Sequence, residues 1–278
     1  MSTSSFESLN LDEFSLENPV NCSAGRRSRL VYLSRDSAHF AEVEDIFNKG
    51  WRHGKKARPH IQGIFKILWP DDNLEPYLQY RKQVQARVRA RNEAGNETLL
   101  FHGTNRACLL GESSRNILLC GLKECYLCSI LRASFDVKKC GTKNAFKRFG
   151  HGIYTSACSS KADDYSCNLS QDASLRTLLV NRVVVGRAYK RYRNAPDLVK
   201  PPDGFDSVSS SLFDNYLLIS SQVTGEIGWD LNHEETVCYT NDAVRPAYLI
   251  VYGHKPKDSP KLTFKTLMSI IFKTPLVS

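Results

Sequence analysis

Long apolar runs are missing from this chain. No stretch approaches the roughly 20 consecutive apolar residues that a membrane-spanning helix needs, so no membrane-embedded segment is expected. The opening MSTSSFESLNLDEF has neither a basic start nor an apolar core of leader length, so it does not read as a secretory signal. The expected address is cytosolic or nuclear, and therefore reducing. No internal repeat is present, which sets aside repeat architectures. No run of lysine or arginine dominates, so the net charge of +9 permits contact with a polyanion without requiring it.

What the chain does contain is ordinary for a globular protein. Its 278 residues are 41% hydrophobic and 24% charged, enough for one sizeable core or two small domains. The nine cysteines are an odd number. Without an export signal they do not suit a disulfide framework, and clustered thiols are better read as metal or redox candidates.

Composition divides the chain into three parts. Residues 1–28 are polar and rich in Ser and Asn and are expected to be disordered. Residues 29–254 read as one folded domain. Residues 255–278 form a tail whose apolar patch, LMSIIF, is too short to span a bilayer. Within the domain, VYL suits a strand, and SAHFAEVEDIFNKGW suits a helix capped by Ser37 with Phe40, Val43, Ile46 and Phe47 on one face. HIQGIFKILW alternates like a strand that Pro70 ends, and NLEPYLQYRKQVQARVRAR is an amphipathic helix carrying Tyr77, Tyr80, Val84 and Val88. After ETLLFHGT comes a Cys-rich connection, and then short strands: GHGIYTS, TLLVNRVVVGRAYK, HEETVCYT and RPAYLIVYG. Helices first and strands afterward predict an α+β domain on antiparallel sheets.

Three segments carry the chemistry. FHGT ends an apolar strand at His102, FGHGIYTSACSSKADDYS contains Tyr154 and Tyr165, and HEETVCY places Glu235 at the head of another strand. In this order they resemble the catalytic domain of the poly(ADP-ribose) polymerase family of ADP-ribosyltransferases, over roughly residues 30–253. The resemblance is closest to single-domain fungal-type members that share the Cys-rich connection and PPDGFDSV at 201–208.

The resemblance implies an ADP-ribosyltransferase fold of two mainly antiparallel sheets that form an NAD cleft with flanking helices. It implies His102, Tyr154 and Glu235 as the catalytic set, and NAD contacts from His102, Gly103, Thr104, Tyr154, Ala162 and Tyr165. A neutral imidazole and a phenol suit ribose hydroxyls, which both donate and accept. Gly103 would take the nicotinamide carboxamide between its N–H and C=O, with glycine leaving room for the ligand. Glu235 would bind the ribose beside the bond that breaks and stabilise its oxocarbenium-like charge. The family spacing of glutamate, three residues and tyrosine selects Glu235 with Tyr239 over Glu234.

The implied activity is transfer of single ADP-ribose units from NAD+ to a macromolecular acceptor, protein or nucleic acid, with nicotinamide released. NAD hydrolysis, or an NAD or ADP-ribose binding module with impaired catalysis, are the alternatives. A monomer with no membrane partner is expected.

Two departures from the family pattern stand out. Ala162 replaces a serine that donates to the carboxamide, and the 209–228 stretch lengthens the path to Glu235. Separately, Cys108, Cys120, Cys125 and Cys128 form C-x11-C-x4-C-x2-C, whose last pair has the spacing of a tetrahedral zinc site. A structural Zn²⁺ held in a loop away from the cleft is expected, with Cys140 as an alternative to Cys108 and four packed thiols as the alternative to metal.

Overall fold

The computed structural model describes residues 29–90, 97–140, 147–210 and 234–253. The N-terminal segment, the C-terminal tail and most of the 209–228 stretch lie outside these residues. The first sheet contains β1 (Leu30–Tyr32), β2 (His60–Ile67), β3 (Glu97–His102), β7 (Arg176–Val184) and β11 (Val244–Gly253), in the spatial order β1-β2-β11-β7-β3. Every pairing in it is antiparallel.

Both faces of this sheet are covered. Leu249 and Val251 of β11 enter one apolar cluster, while Tyr248, Ile250 and Tyr252 enter another, as alternation along a strand requires. Helix α2 (Asp71–Ala90) supplies Tyr77, Val84 and Val88 to the first cluster. Helix α1 (Ala38–Gly50) supplies Phe40, Val43 and Phe47 to the second. Its cap is the expected one, with Ser37 Oγ accepting from the Phe40 N–H at 3.1 Å. Burial on both sides explains why all ten residues of β11 are buried and why its sequence barely alternates.

The second sheet has the order β5-β10-β9-β8, built from β5 (Ile153–Thr155), β8 (Ala188–Arg191), β9 (Ser207–Ser210) and β10 (Thr236–Cys238). Only its β8–β9 pair is parallel. TLLVNRVVVGRAYK therefore makes two strands of different sheets, parted near Gly186, whose φ of 57° suits glycine. A two-stranded parallel pair joins β4 (Asn105–Arg106) to β6 (Cys167–Asn168).

The Cys-rich connection is not the poorly cored loop its composition predicts. It contains α3 (Tyr126–Ala133), which buries Leu127, Cys128 and Leu131. The segment is also fastened by Arg106, which is fully buried and meets Glu112 at 2.6 Å and the Leu110 carbonyl at 2.6 Å.

Helix α4 (Ser159–Asp164) is tied down through Asp163. Its carboxylate accepts from Tyr252 Oη at 2.6 Å and from Arg176 Nε at 2.6 Å, and pairs with Lys56 at 2.9 Å. Burial alone would raise the Asp163 carboxyl, but the Tyr252 hydroxyl and the Lys56 and Arg176 cations hold it below the usual carboxylate range. Asp163→Asn should therefore destabilise the protein by about 2 kcal/mol in urea titrations at neutral pH, as expected when a buried carboxylate's charge-assisted hydrogen bonds are lost. Because the folded carboxyl is depressed, its stabilisation is present above the unfolded value and lost on acidification. The gap between wild type and variant should close as pH falls below about 4.

Candidate active site

The two sheets touch at an isolated bridge between β3 and the end of β5. Phe101 N–H donates to the Ser156 carbonyl at 2.8 Å, and Ser156 N–H donates to the Phe101 carbonyl at 3.0 Å. Beyond that bridge the strands part. An antiparallel continuation would set Gly103 against Tyr154; instead the His102 ring spans the gap, with Nδ1 2.8 Å from the Tyr154 carbonyl oxygen. A carbonyl only accepts, so Nδ1 carries the proton and Nε2 of the neutral ring is left as an acceptor. Burial lowers the His102 pKa and favours that neutral form. Phe135 braces the ring edge-on, with centroids 4.9 Å apart at 84°.

A cavity of about 790 Å³ opens at the gap, and His102, Gly103, Thr104, Tyr154, Ala162, Tyr165 and Glu235 all line it. This volume falls within the usual range for small-ligand sites, about 300–1,000 Å³. The structure thus brings together every residue of the expected catalytic and NAD-binding sets. Gly103 has a reason for being glycine besides the ligand. A Cβ there would lie 1.9 Å from the Ala162 carbonyl oxygen, so close packing of α4 against the end of β3 already forbids a side chain. The Tyr154 hydroxyl is committed to backbone, donating to the Gly150 carbonyl at 2.8 Å and accepting from the Phe149 N–H at 2.9 Å. Burial pushes this phenol up to about 12. Tyr165, half exposed at the end of α4, contributes to the wall.

Glu235 is held by its backbone before its side chain acts. Its N–H donates to Ser210 Oγ at 2.7 Å, and its carbonyl accepts from the Ser210 N–H at 2.9 Å. The residues flanking the long stretch are thus hydrogen-bonded neighbours, and the β9–β10 pairing sets the position of Glu235. Its carboxylate lies between two cations, Lys161 Nζ at 2.8 Å from Oε1 and Arg148 Nε at 3.1 Å from Oε2. Both cations line the cavity, and neither was among the residues expected from sequence. The Ser-Ser-Lys of SSKADDY offered a cue for Lys161; nothing in the sequence pointed to Arg148. Glu234 is exposed, and its backbone carbonyl accepts from Ser156 Oγ at 2.6 Å.

The four cysteines of C-x11-C-x4-C-x2-C also converge. All four Sγ atoms lie within 4.8 Å of one another, and Cys108 stands 3.7 Å from Cys125 and 3.6 Å from Cys128. Zn–S bonds of about 2.3 Å in tetrahedral array would separate sulfurs by about 3.8 Å, so the donor set fits the ion. Hydrogen bonds from Cys108 and Cys128 hold the Cys125 thiol well below the usual thiol range. Cys140 is outside the group, its thiol directed at the Asp136 carbonyl at 3.4 Å.

The family model for the poly(ADP-ribose) polymerase catalytic domain matches residues 37–254, from α1 to the end of β11. The class of protein is therefore defined by this catalytic domain. Within that class, the chain belongs to the poly(ADP-ribose) polymerase catalytic-domain family. It is 27% identical over 208 residues, 67% of its length, to the mouse (Mus musculus) protein mono-ADP-ribosyltransferase PARP4, of which it spans 9%.

The hydrogen bond and burial at His102 can be checked directly. Nitrogen NMR at pH about 6.5, where an unperturbed imidazole is half protonated, should find His102 mainly neutral with the proton on Nδ1. Protonation should be deferred to lower pH.

Proposed function

We propose that this chain transfers single ADP-ribose units from NAD+ to a macromolecular acceptor and releases nicotinamide. The observation that carries the reading is Glu235, a buried carboxylate lining the same cavity as His102 and Gly103, positioned by strand pairing and held between two cations. Nε2 of His102 would accept a hydroxyl of the adenosine ribose, and Thr104 would extend that edge. Gly103 would receive the carboxamide, and the Tyr154 and Tyr165 rings would form apolar walls beside the nicotinamide. Glu235 would hold the 2′-hydroxyl of the nicotinamide ribose and face the positive charge that develops at the anomeric carbon. Nicotinamide leaves with the electron pair of the broken C–N bond. An acceptor lone pair forms the new bond, and a proton released by a hydroxyl acceptor passes to Glu235 or to solvent. Single transfer is favoured by likeness to a relative named as a mono-ADP-ribosyltransferase. Labelled NAD would separate the outcomes, since single transfer marks the acceptor alone, polymer gives a ladder and hydrolysis gives free ADP-ribose.

Glu235→Gln should keep NAD binding and lose transfer by on the order of 10²-fold, the scale for removing charge stabilisation from a transition state. Glu234→Gln should change little. If calorimetry and turnover assign the larger loss to Glu234, the role given to Glu235 is wrong.

We further propose that Cys108, Cys120, Cys125 and Cys128 hold one structural Zn²⁺. The ion would clip the first part of the Cys-rich connection, through Cys108 and Cys120, to the start of α3 and take no part in the transfer. Protein purified without chelator should carry about one zinc per chain by metal analysis, the stoichiometry of a four-cysteine site. A strong chelator should lower the melting temperature. Serine at Cys125 or Cys128 should do the same, whereas serine at Cys167, which lies outside the cluster, should not.

A further inference from the structure

Helix α3 presents two faces to two different sites. One face carries Leu127, Cys128 and Leu131 into the core, with Cys125 as the residue that begins the helix. The other presents Tyr126, Ser129, Ile130 and Ala133 to the cavity. Two of the four clustered cysteines therefore sit on the element that walls the cleft, although none of the four lines the cavity itself.

The far end of the helix reaches the candidate catalytic histidine within two residues. The helix closes at Ser134, whose N–H donates to the Ile130 carbonyl at 2.8 Å. Ser134 has φ of 64°, a conformation that disfavours side chains and persists only where the surrounding structure holds it. The next residue is Phe135, the ring packed edge-on against His102.

Both ends of the helix are anchored to other parts of the chain. Arg29 Nη1 donates to the Arg132 carbonyl at 2.7 Å, satisfying the last turn. At the first turn, Cys125 and Cys128 face Cys108, and Arg132 reaches back to the Cys120 carbonyl. A tetrahedral ion drawing these sulfurs together would fix the depth and angle of α3, and so the placement of Ile130, Ala133 and Phe135 on the cavity wall.

We propose that metal occupancy of the four-cysteine cluster sets the NAD affinity of the cleft, transmitted through α3 and Phe135. The inference rests on the zinc and NAD-cleft readings above. Binding coupling is reciprocal, so NAD in the cleft must in turn hold the metal more tightly.

The test uses the zinc-loaded protein and carba-NAD, an analogue whose ribose–nicotinamide bond cannot be cleaved in this way. Saturating carba-NAD should slow zinc extraction by a chromogenic chelator. Chelated protein, kept well below its melting temperature, should bind carba-NAD on the order of tenfold more weakly by calorimetry, within the usual span of coupling. Phe135→Ala should keep its zinc, bind carba-NAD more weakly and lose the protection against extraction. This arm needs no metal-free protein and stands even where chelation unfolds the chain. Zinc release at the same rate with and without bound carba-NAD would overturn the coupling and leave both underlying readings intact. Protein without zinc would overturn the metal reading and the coupling with it. Zinc-loaded protein that does not bind carba-NAD would overturn the NAD-cleft reading instead.

Discussion

The site exists because two sheets are joined by hydrogen bonds at Phe101 and Ser156 and separate immediately afterward. Had the ladder continued, Gly103 and Tyr154 would have faced each other across it and the cavity would have closed. The separation strands a carbonyl at Tyr154, and the His102 ring satisfies it. Backbone groups freed from a ladder must find partners, so the histidine completes the structure and, by the same bond, fixes its own tautomer. Phe135 and the close approach of α4 at Gly103 then keep the gap at its width.

Charge in the cleft is arranged around the same opening. A carboxylate as buried as Glu235 is tolerable only when paired, and Lys161 and Arg148 provide the pairing from two different segments. The cations come from α4 and from the turn before β5, so the site draws together the helix tied down by Asp163 and the second sheet. Disturbing either element would move a partner of Glu235 and the cleft wall together.

Much of this was legible in the sequence, for identifiable reasons. Strong periodicity announced α1 and α2, and β2 was announced by an alternating run ending near Pro70. The His-Gly, Gly-Ile-Tyr and Glu-Glu-Thr-Val motifs located the residues that meet at the cavity. Helix α3 was hidden because it is short and lies in a segment whose five cysteines drew the reading toward a metal loop. The break between β7 and β8 was hidden because the two strands follow each other in one strand-like run, with only residues 185–187, including Gly186, between them. Arg148 could not have been found at all. Its role depends on a contact made through the fold between residues 87 positions apart, and no local pattern carries such information.

The hydrogen bonds between Ser210 and Glu235 have a consequence for how this chain can be altered by evolution or by hand. A segment entering and leaving a fold at two paired backbone positions is a natural port. Closing a longer flexible loop there adds only about 0.6 kcal/mol per doubling of its length, and the strands on either side keep their register. Lineages could therefore exchange the material between β9 and β10 while the carboxylate stays in place. A protein engineer could use the same port to graft a binding peptide or a reporter within reach of the cavity.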